Sequence, residues 1–193
     1  MNKKIATITV ALVVTGSLIA MAPPPSEGAD FVYSGQDDNE ACRLLMKSLR
    51  AINSEWEVEQ FDNLPMVVLR RPDVQGEFQP VLLIEPKMVL RGMDRIVFHS
   101  MFAGEAGLSR NLKGLQFFNK LNSEVAGMSF SVMDDGKVTV ESCLDLRNNL
   151  PGRDLAEFIE DIDTTYRMLL VNPDTKDGML KYFSERPANG RDA

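Results

Sequence analysis

From Met128 to Leu146 the chain alternates apolar and polar positions on either side of MDDGK, a period-two pattern that predicts an antiparallel hairpin. Register decides whether its two apolar rows meet. A two-residue turn at Asp135-Gly136 sets Val132 opposite Thr139 and Phe130 opposite Glu141, which splits the rows between faces. A three-residue loop, Asp134-Asp135-Gly136, sets Val132 against Val138 and Phe130 against Val140, with Gly136 left-handed after a type I turn. The second arrangement is the expectation. It gives Asp134, Asp135 and Gly136 to backbone geometry and leaves them no catalytic role.

Elsewhere the periodicity changes. Asp37 or Asp38 caps a predicted helix running to about Ile52, with Cys42, Leu45, Leu49 and Ile52 on one stripe and Lys47 and Arg50 near its end. Runs at 56–61, 65–71, 81–85, 88–91 and 95–102 read as strands. Prolines at 65, 72, 80 and 86 punctuate them, and Gly92-Met93-Asp94 suits a turn between the last two. Ser109 is the expected N-cap of a second helix through about Asn122, with Leu112, Leu115 and Phe118 on its apolar face and Phe117 and Leu121 on the flank. Pro151 suits the first turn of a third helix, lined by Leu155, Phe158, Ile159, Ile162, Tyr166 and Leu169 and ended by Asn172-Pro173. Beyond it, Met179, Leu180, Tyr182 and Phe183 outline one short helix before a loose polar end.

The first 22 residues follow another rule. Lys3 and Lys4 precede an uncharged, mostly apolar run from Ile5, and Ala20-Met21-Ala22 has the small-residue spacing that signal peptidase reads. This pattern predicts export to the periplasm or beyond. Cleavage after Ala22 is opposed by Pro23, which lacks an N–H and has a fixed φ. Cleavage after Ala29 is weakened by Glu27, and with neither cut the run is long enough to act as an anchor. The predicted organisation is a signal peptide or anchor over 1–22, a Pro/Gly/Ser-rich linker over 23–36, a domain over 37–172 and a tail over 173–193.

Charge narrows the function. The 193 residues carry a net charge of −7, and removal of residues 1–22 takes away two lysines and no acids, so the exported part is more acidic still. Acidic protein repels phosphate backbones, and the chain has no basic run interleaved with aromatics, so nucleic acid is excluded as an expected partner. Two cysteines, Cys42 and Cys143, suit one disulfide in an oxidising compartment, while periodicity sets Cys42 on a buried stripe and Cys143 on the face opposite Leu144. Both the bridge and two unpaired thiols stay open.

Candidate chemistry is sparse. His99 is the chain's single histidine, and neither a G-x-S-x-G elbow nor a basic residue beside Cys143 accompanies it. The expectation is therefore no catalytic residue, no metal site and no cofactor. Its rival is a hydrolase using His99 with Glu105 or Asp94. The run from Asp174 to Glu185 fails as a calcium loop, because Lys176 takes a ligand position and Gly178 comes one residue early. Asp154, Glu157, Glu160, Asp161 and Asp163 read as a solvated helix face, with Asp163 pairing to Arg167. Gly104 and Gly107 precede a helix start without a phosphate fingerprint. Met66, Met88, Met93, Met101, Met128 and Met133 fall in or near strands, where an exposed subset would mark an adaptable binding surface.

The order of a helix, strands, a helix ending in FFNKLN, a hairpin with DDGKVTVES, then L-x-L and the apolar-acidic helix DLAEFIEDIDTTYRML resembles the YbjN family of bacterial sensory-transduction regulators. The resemblance is clearest from about Phe98 to Leu170, and RNNLPGRDL departs from the family's glycine-rich turn. It implies an α+β fold like that of type III secretion chaperones, an antiparallel sheet covered by helices. The implied role is a non-enzymatic regulatory or binding module that engages a protein partner through its sheet or second helix, a homodimer included. Contact with membrane is expected only through an uncleaved N-terminal segment.

Overall fold

The hairpin joins β6 (Met128–Val132) to β7 (Val138–Asp145) and pairs Phe130 with Val140 and Val132 with Val138, so its apolar rows share one face. Gly136 lies at φ 85, and the Met133 N–H donates to the Lys137 carbonyl at 2.8 Å, which leaves Asp134-Asp135-Gly136 as the loop. The computed structural model describes residues 29–32, 37–72, 80–90, 93–105, 107–146 and 149–183. The segment over 1–22, and all of the expected linker except Ala29–Val32, lie outside the described residues.

Before the hairpin come β1 (Phe31–Val32), α1 (Asp38–Ile52), β2 (Glu57–Gln60), β3 (Val67–Arg70), β4 (Leu82–Leu90), β5 (Met93–Phe102), one 3-10 turn (Leu108–Arg110) and α2 (Leu112–Glu124). After it come β8 (Asn149–Leu150), α3 (Gly152–Val171) and α4 (Pro173–Tyr182). Six strands form one antiparallel sheet in the order β2-β3-β4-β5-β7-β6, and β1 pairs separately with β8. The molecule is thus α+β, an antiparallel sheet packed with helices. No described helix is long and apolar enough to cross a membrane.

Strand alternation divides the sheet. Val58, Leu69, Leu82, Ile84, Ile96, Phe98, Phe102, Phe130, Val138 and Val140 point to one face and join residues from all four helices in a single core. Phe98 meets Phe158 of α3 at 4.9 Å between ring centroids, and Phe102 meets Phe183 at the same separation. Each such aromatic contributes roughly 1.5–3 kcal/mol through burial.

Several elements depart from the sequence expectation. Asn111, not Ser109, caps α2, accepting from the Gly114 N–H at 3.2 Å, while Ser109 lies in the 3-10 turn and donates to the Asp134 carbonyl at 3.1 Å. Leu112 and Leu115 are exposed, and the packed face runs through Gly114, Phe118 and Leu121. The reason is close approach. A Cβ on Gly114 would come within 2.4 Å of Leu108 Cδ1, and a pattern of apolar side chains cannot register a packing position filled by glycine.

Pro86 does not end a strand. It sits inside β4 where the register shifts between Glu85 and Met88, an irregularity that accommodates its missing N–H. Of the expected turn, Gly92 lies outside the described residues, and Met93 and Asp94 are paired with Leu90 and Val89 within the sheet.

The packed unit extends past both expected ends. Phe31 is fully buried in the main core, and α4 contributes Met179 and Tyr182, with Phe183 beyond it. The run from Asp174 is helical through Tyr182, capped by Asn172 and begun by Pro173. Gly178 is the contact point, since a Cβ there would lie 2.3 Å from the Phe117 ring.

Candidate functional site: the helix-free sheet face

The opposite sheet face receives no helix among the described residues. Its positions follow from register. They are Glu57 and Glu59 on β2, Val68 and Arg70 on β3, Leu83 and Glu85 on β4, then Arg95, Val97, His99 and Met101 on β5. Thr139, Glu141, Cys143 and Asp145 follow on β7, with Ser129 and Ser131 on β6. Val68 and Val97 are buried here yet lie outside the helix-side core.

His99 is central to this face. Its direct partners across the sheet are Leu83 and Glu141, and its Nδ1 lies 3.4 Å from Glu141 Oε1 while Nε2 lies 3.9 Å from Glu85 Oε2. The Nε2 atom is buried without a hydrogen-bond partner. Burial raises the Glu85 carboxyl above its ordinary range. His99 lowers it, while Asp38 and Glu141 add to the rise. Arg95 Nε faces Asp145 Oδ1 at 3.2 Å, and Arg70 pairs with Glu59.

The structure places the expected partners of His99 elsewhere. Asp94 belongs to the helix-side set by alternation, and Glu105 faces Lys181 at 3.8 Å. Neither meets His99. Glu85 and Glu141 do, and sequence reasoning missed both because strand pairing alone brings them there. Cys143 stands on this face diagonal to His99, opposite Val97, while Cys42 is a buried residue of α1 in the core on the other side of the sheet. Both thiols are free, so the disulfide alternative does not hold. Burial pushes the Cys42 thiol up to about 11, with smaller contributions from Asp38 and Glu85.

Each outer strand of the sheet accepts a helix side chain at one position. At β6 the Asn122 side chain of α2 donates to the Phe130 carbonyl at 2.8 Å and accepts from the Phe130 N–H at 2.7 Å, taking the groups an added strand would use. At β2 the Arg50 guanidinium of α1 donates to the Val58 carbonyl at 2.7 Å. One backbone position on each edge strand is thus already engaged by a helix side chain.

On the helix side, Asp163 is buried, not solvated, and pairs with Arg71, not Arg167; Arg71 also donates to the Pro80 carbonyl at 3.3 Å. Nearby Tyr166 hydrogen-bonds Ser100, and burial raises its hydroxyl pKa well above the ordinary range. The glycines of the 103–109 loop are also structural. A Cβ on Gly104 would lie 2.1 Å from the Gly136 carbonyl oxygen, so close packing against the hairpin loop accounts for it. Among the methionines, Met133 and Met168 are exposed, on the hairpin loop and α3. Among the described residues no group of three His, Cys, Asp or Glu side chains is arranged to hold a metal ion.

No family model matches the chain. No curated protein matches it either. Among solved structures, the crystal structure of YbjN from E. coli, a candidate transcription regulator, aligns at 18% identity with a TM-score of 0.42. The alignment covers 60% of this chain and 81% of that one. The likeness is one of backbone path, and the regulator description is YbjN's.

Proposed function

We propose that the chain is an exported, non-enzymatic binding or regulatory module of the cell envelope that engages a protein partner through the helix-free face of its sheet. One observation carries this reading. Helices cover one face, side chains of α1 and α2 engage one position on each edge strand, and the remaining face combines apolar Val68, Leu83, Val97 and Met101 with the Glu85–His99–Glu141 row. Buried Val68 and Val97, half-buried Leu83 and Met101 and the charged row beside them form a mixed surface of the kind that recognises another protein.

The hydrolase reading keeps one point in its favour, two carboxylates beside His99. Among the described residues it lacks a positioned nucleophile, since His99 makes no hydrogen bond there to a hydroxyl or thiol. A photo-crosslinking residue placed in cells at Ser131 or Glu141, with Val171 on α3 as the contrasting position, tests the proposal. A discrete adduct from the sheet-face positions and none from Val171 is expected, and an adduct of twice the chain's mass identifies a homodimer. Adducts from Val171 alone, or none at all, would defeat the reading.

A further inference from the structure

The charges of the helix-free face divide into pairs and a remainder. Among the described residues, Glu57, Glu59, Glu85, Glu141 and Asp145 stand there against Arg70 and Arg95. Arg70 pairs with Glu59 and Arg95 with Asp145, so both guanidinium groups are engaged near the ends of their strands. Glu85 and Glu141 are left in the middle with His99 between them, and no described lysine or arginine bonds either one. Their side chains keep 30% and 49% exposure. Apolar groups adjoin them, because Leu83 lies directly opposite His99 and Val97 directly opposite Glu85. A second copy of this face would set acid against acid, whereas a basic surface would complement it.

One imidazole cannot serve both carboxylates unless it is charged. Neutral histidine carries a single N–H, so whichever nitrogen holds it, one of the two carboxylates faces a lone pair. The Nε2 atom, on the Glu85 side, is buried and makes no hydrogen bond. An imidazolium has two N–H groups and presents one to each carboxylate. The other ionisable groups around the row are Cys143, diagonal to His99 on β7, the Arg95–Asp145 pair farther along β5 and β7, the Glu59–Arg70 pair beyond Val68, and Asp38 of α1, whose charge acts on Glu85. From β6 the neighbours are Ser129 and Ser131, which carry no charge.

We propose that the helix-free face docks a basic protein surface, and that the charge on His99 sets whether the Glu85 and Glu141 carboxylates are free to receive an arginine or lysine of that partner. This rests on the partner reading above and adds the partner's chemistry and its control. With a neutral imidazole, one carboxylate lacks a donor and takes the incoming cation, while Leu83 and Met101 meet its apolar stem. A guanidinium suits the place best, because its fork of N–H groups meets carboxylate oxygens in pairs. With a charged imidazole both carboxylates are engaged and the row loses one negative charge, so the cation is released. Imidazole is the side chain that changes charge between about pH 5 and 8, and the chain has one.

The probe is acetyl-arginine amide, with acetyl-glutamine amide as the uncharged control, added to the purified protein while NMR follows the carboxyl carbons of Glu85 and Glu141 and the imidazole nitrogens of His99. Expected are arginine-specific shifts at both carboxyls near pH 7.5 and binding about fivefold weaker near pH 5.5. His99→Gln should keep the neutral-pH binding and lose most of the pH dependence. No arginine-specific shift near neutral pH would overturn the acceptor, and equal binding at both pH values would overturn its control by His99. A His99→Gln protein with the full pH dependence would overturn that control as well and assign it to the carboxyls themselves. The Ser131 photo-crosslinker, used in cells held at the same two pH values, separates this from the partner reading. A heterologous adduct that declines on acidification is expected. No adduct at either pH, with arginine binding intact, would defeat the partner reading, and an adduct of twice the chain's mass or one indifferent to pH would overturn the basic, pH-controlled partner.

Discussion

Two acid-base groupings lie on opposite faces of the same sheet and use similar side chains in opposite ways. Arg71 and Asp163 are 6% and 8% exposed, sealed between the sheet and α3 near Ser100 and Tyr166. Glu85, His99 and Glu141 cross three strands on the helix-free face, and Glu141 stays open to solvent. In the first place, water cannot replace a lost partner, so the pair constrains how α3 sits on the sheet. In the second, water reaches Glu141 though not the Nε2 atom of His99. The contrast shows that burial decides whether a charge pair acts as scaffold or remains free to meet another molecule.

The largest effect that would break this comparison comes from Asp163→Ala. Leaving Arg71 buried and unpaired should cost about 3–5 kcal/mol, whereas His99→Gln should cost less than about 1 kcal/mol. Urea unfolding of both variants measures the difference. Joint replacement by Arg71→Met and Asp163→Leu should recover most of the loss, because apolar side chains of similar size need no partner. Equal costs for Asp163→Ala and His99→Gln would erase the distinction between the faces.

The two cysteines sharpen it next. With its thiol at about 11, Cys42 holds roughly a hundredfold less thiolate near pH 8 than an ordinary cysteine, and burial restricts access further. Maleimide labelling of the folded protein followed by peptide mapping should find Cys143 modified first and Cys42 only after unfolding. A Cys42–Cys143 disulfide in the purified protein would contradict the placement of these residues on opposite faces.

The smallest effect concerns pH. Folding raises the Glu85 carboxyl, chiefly through burial, so the folded state favours its protonated form. That contribution to stability is complete below the unfolded carboxyl range and is lost as pH rises through the raised value. Glu85→Gln avoids the loss. The variant should therefore melt slightly higher than the parent near pH 7 and show no such gain near pH 3, as thermal unfolding at the two pH values would reveal. An equal shift at both would assign the effect to shape and not to charge.

Much of the fold was legible from short-range pattern. Phe130 and Val140 face each other because a period-two alternation and a glycine-containing three-residue loop allow one register that unites the apolar rows. The stripes on α1 and α3 were equally visible, since residues three and four apart share a helix face. The packed face of α2 was not, because Gly114 contributes contact by having no side chain.

The sequence by itself determined the hairpin and the main helical stripes, which depend on neighbours along the chain, and the acidic balance, which is a sum over it. Only the tertiary structure decided that Asp163 meets Arg71 across 92 positions, that Glu85 and Glu141 flank His99, and that Asn122 and Arg50 each engage an edge strand. It alone joined Ala29 to α3. Local preference acts over a turn or two of backbone, while these partners meet through strand order and layer packing, which no single stretch of sequence encodes.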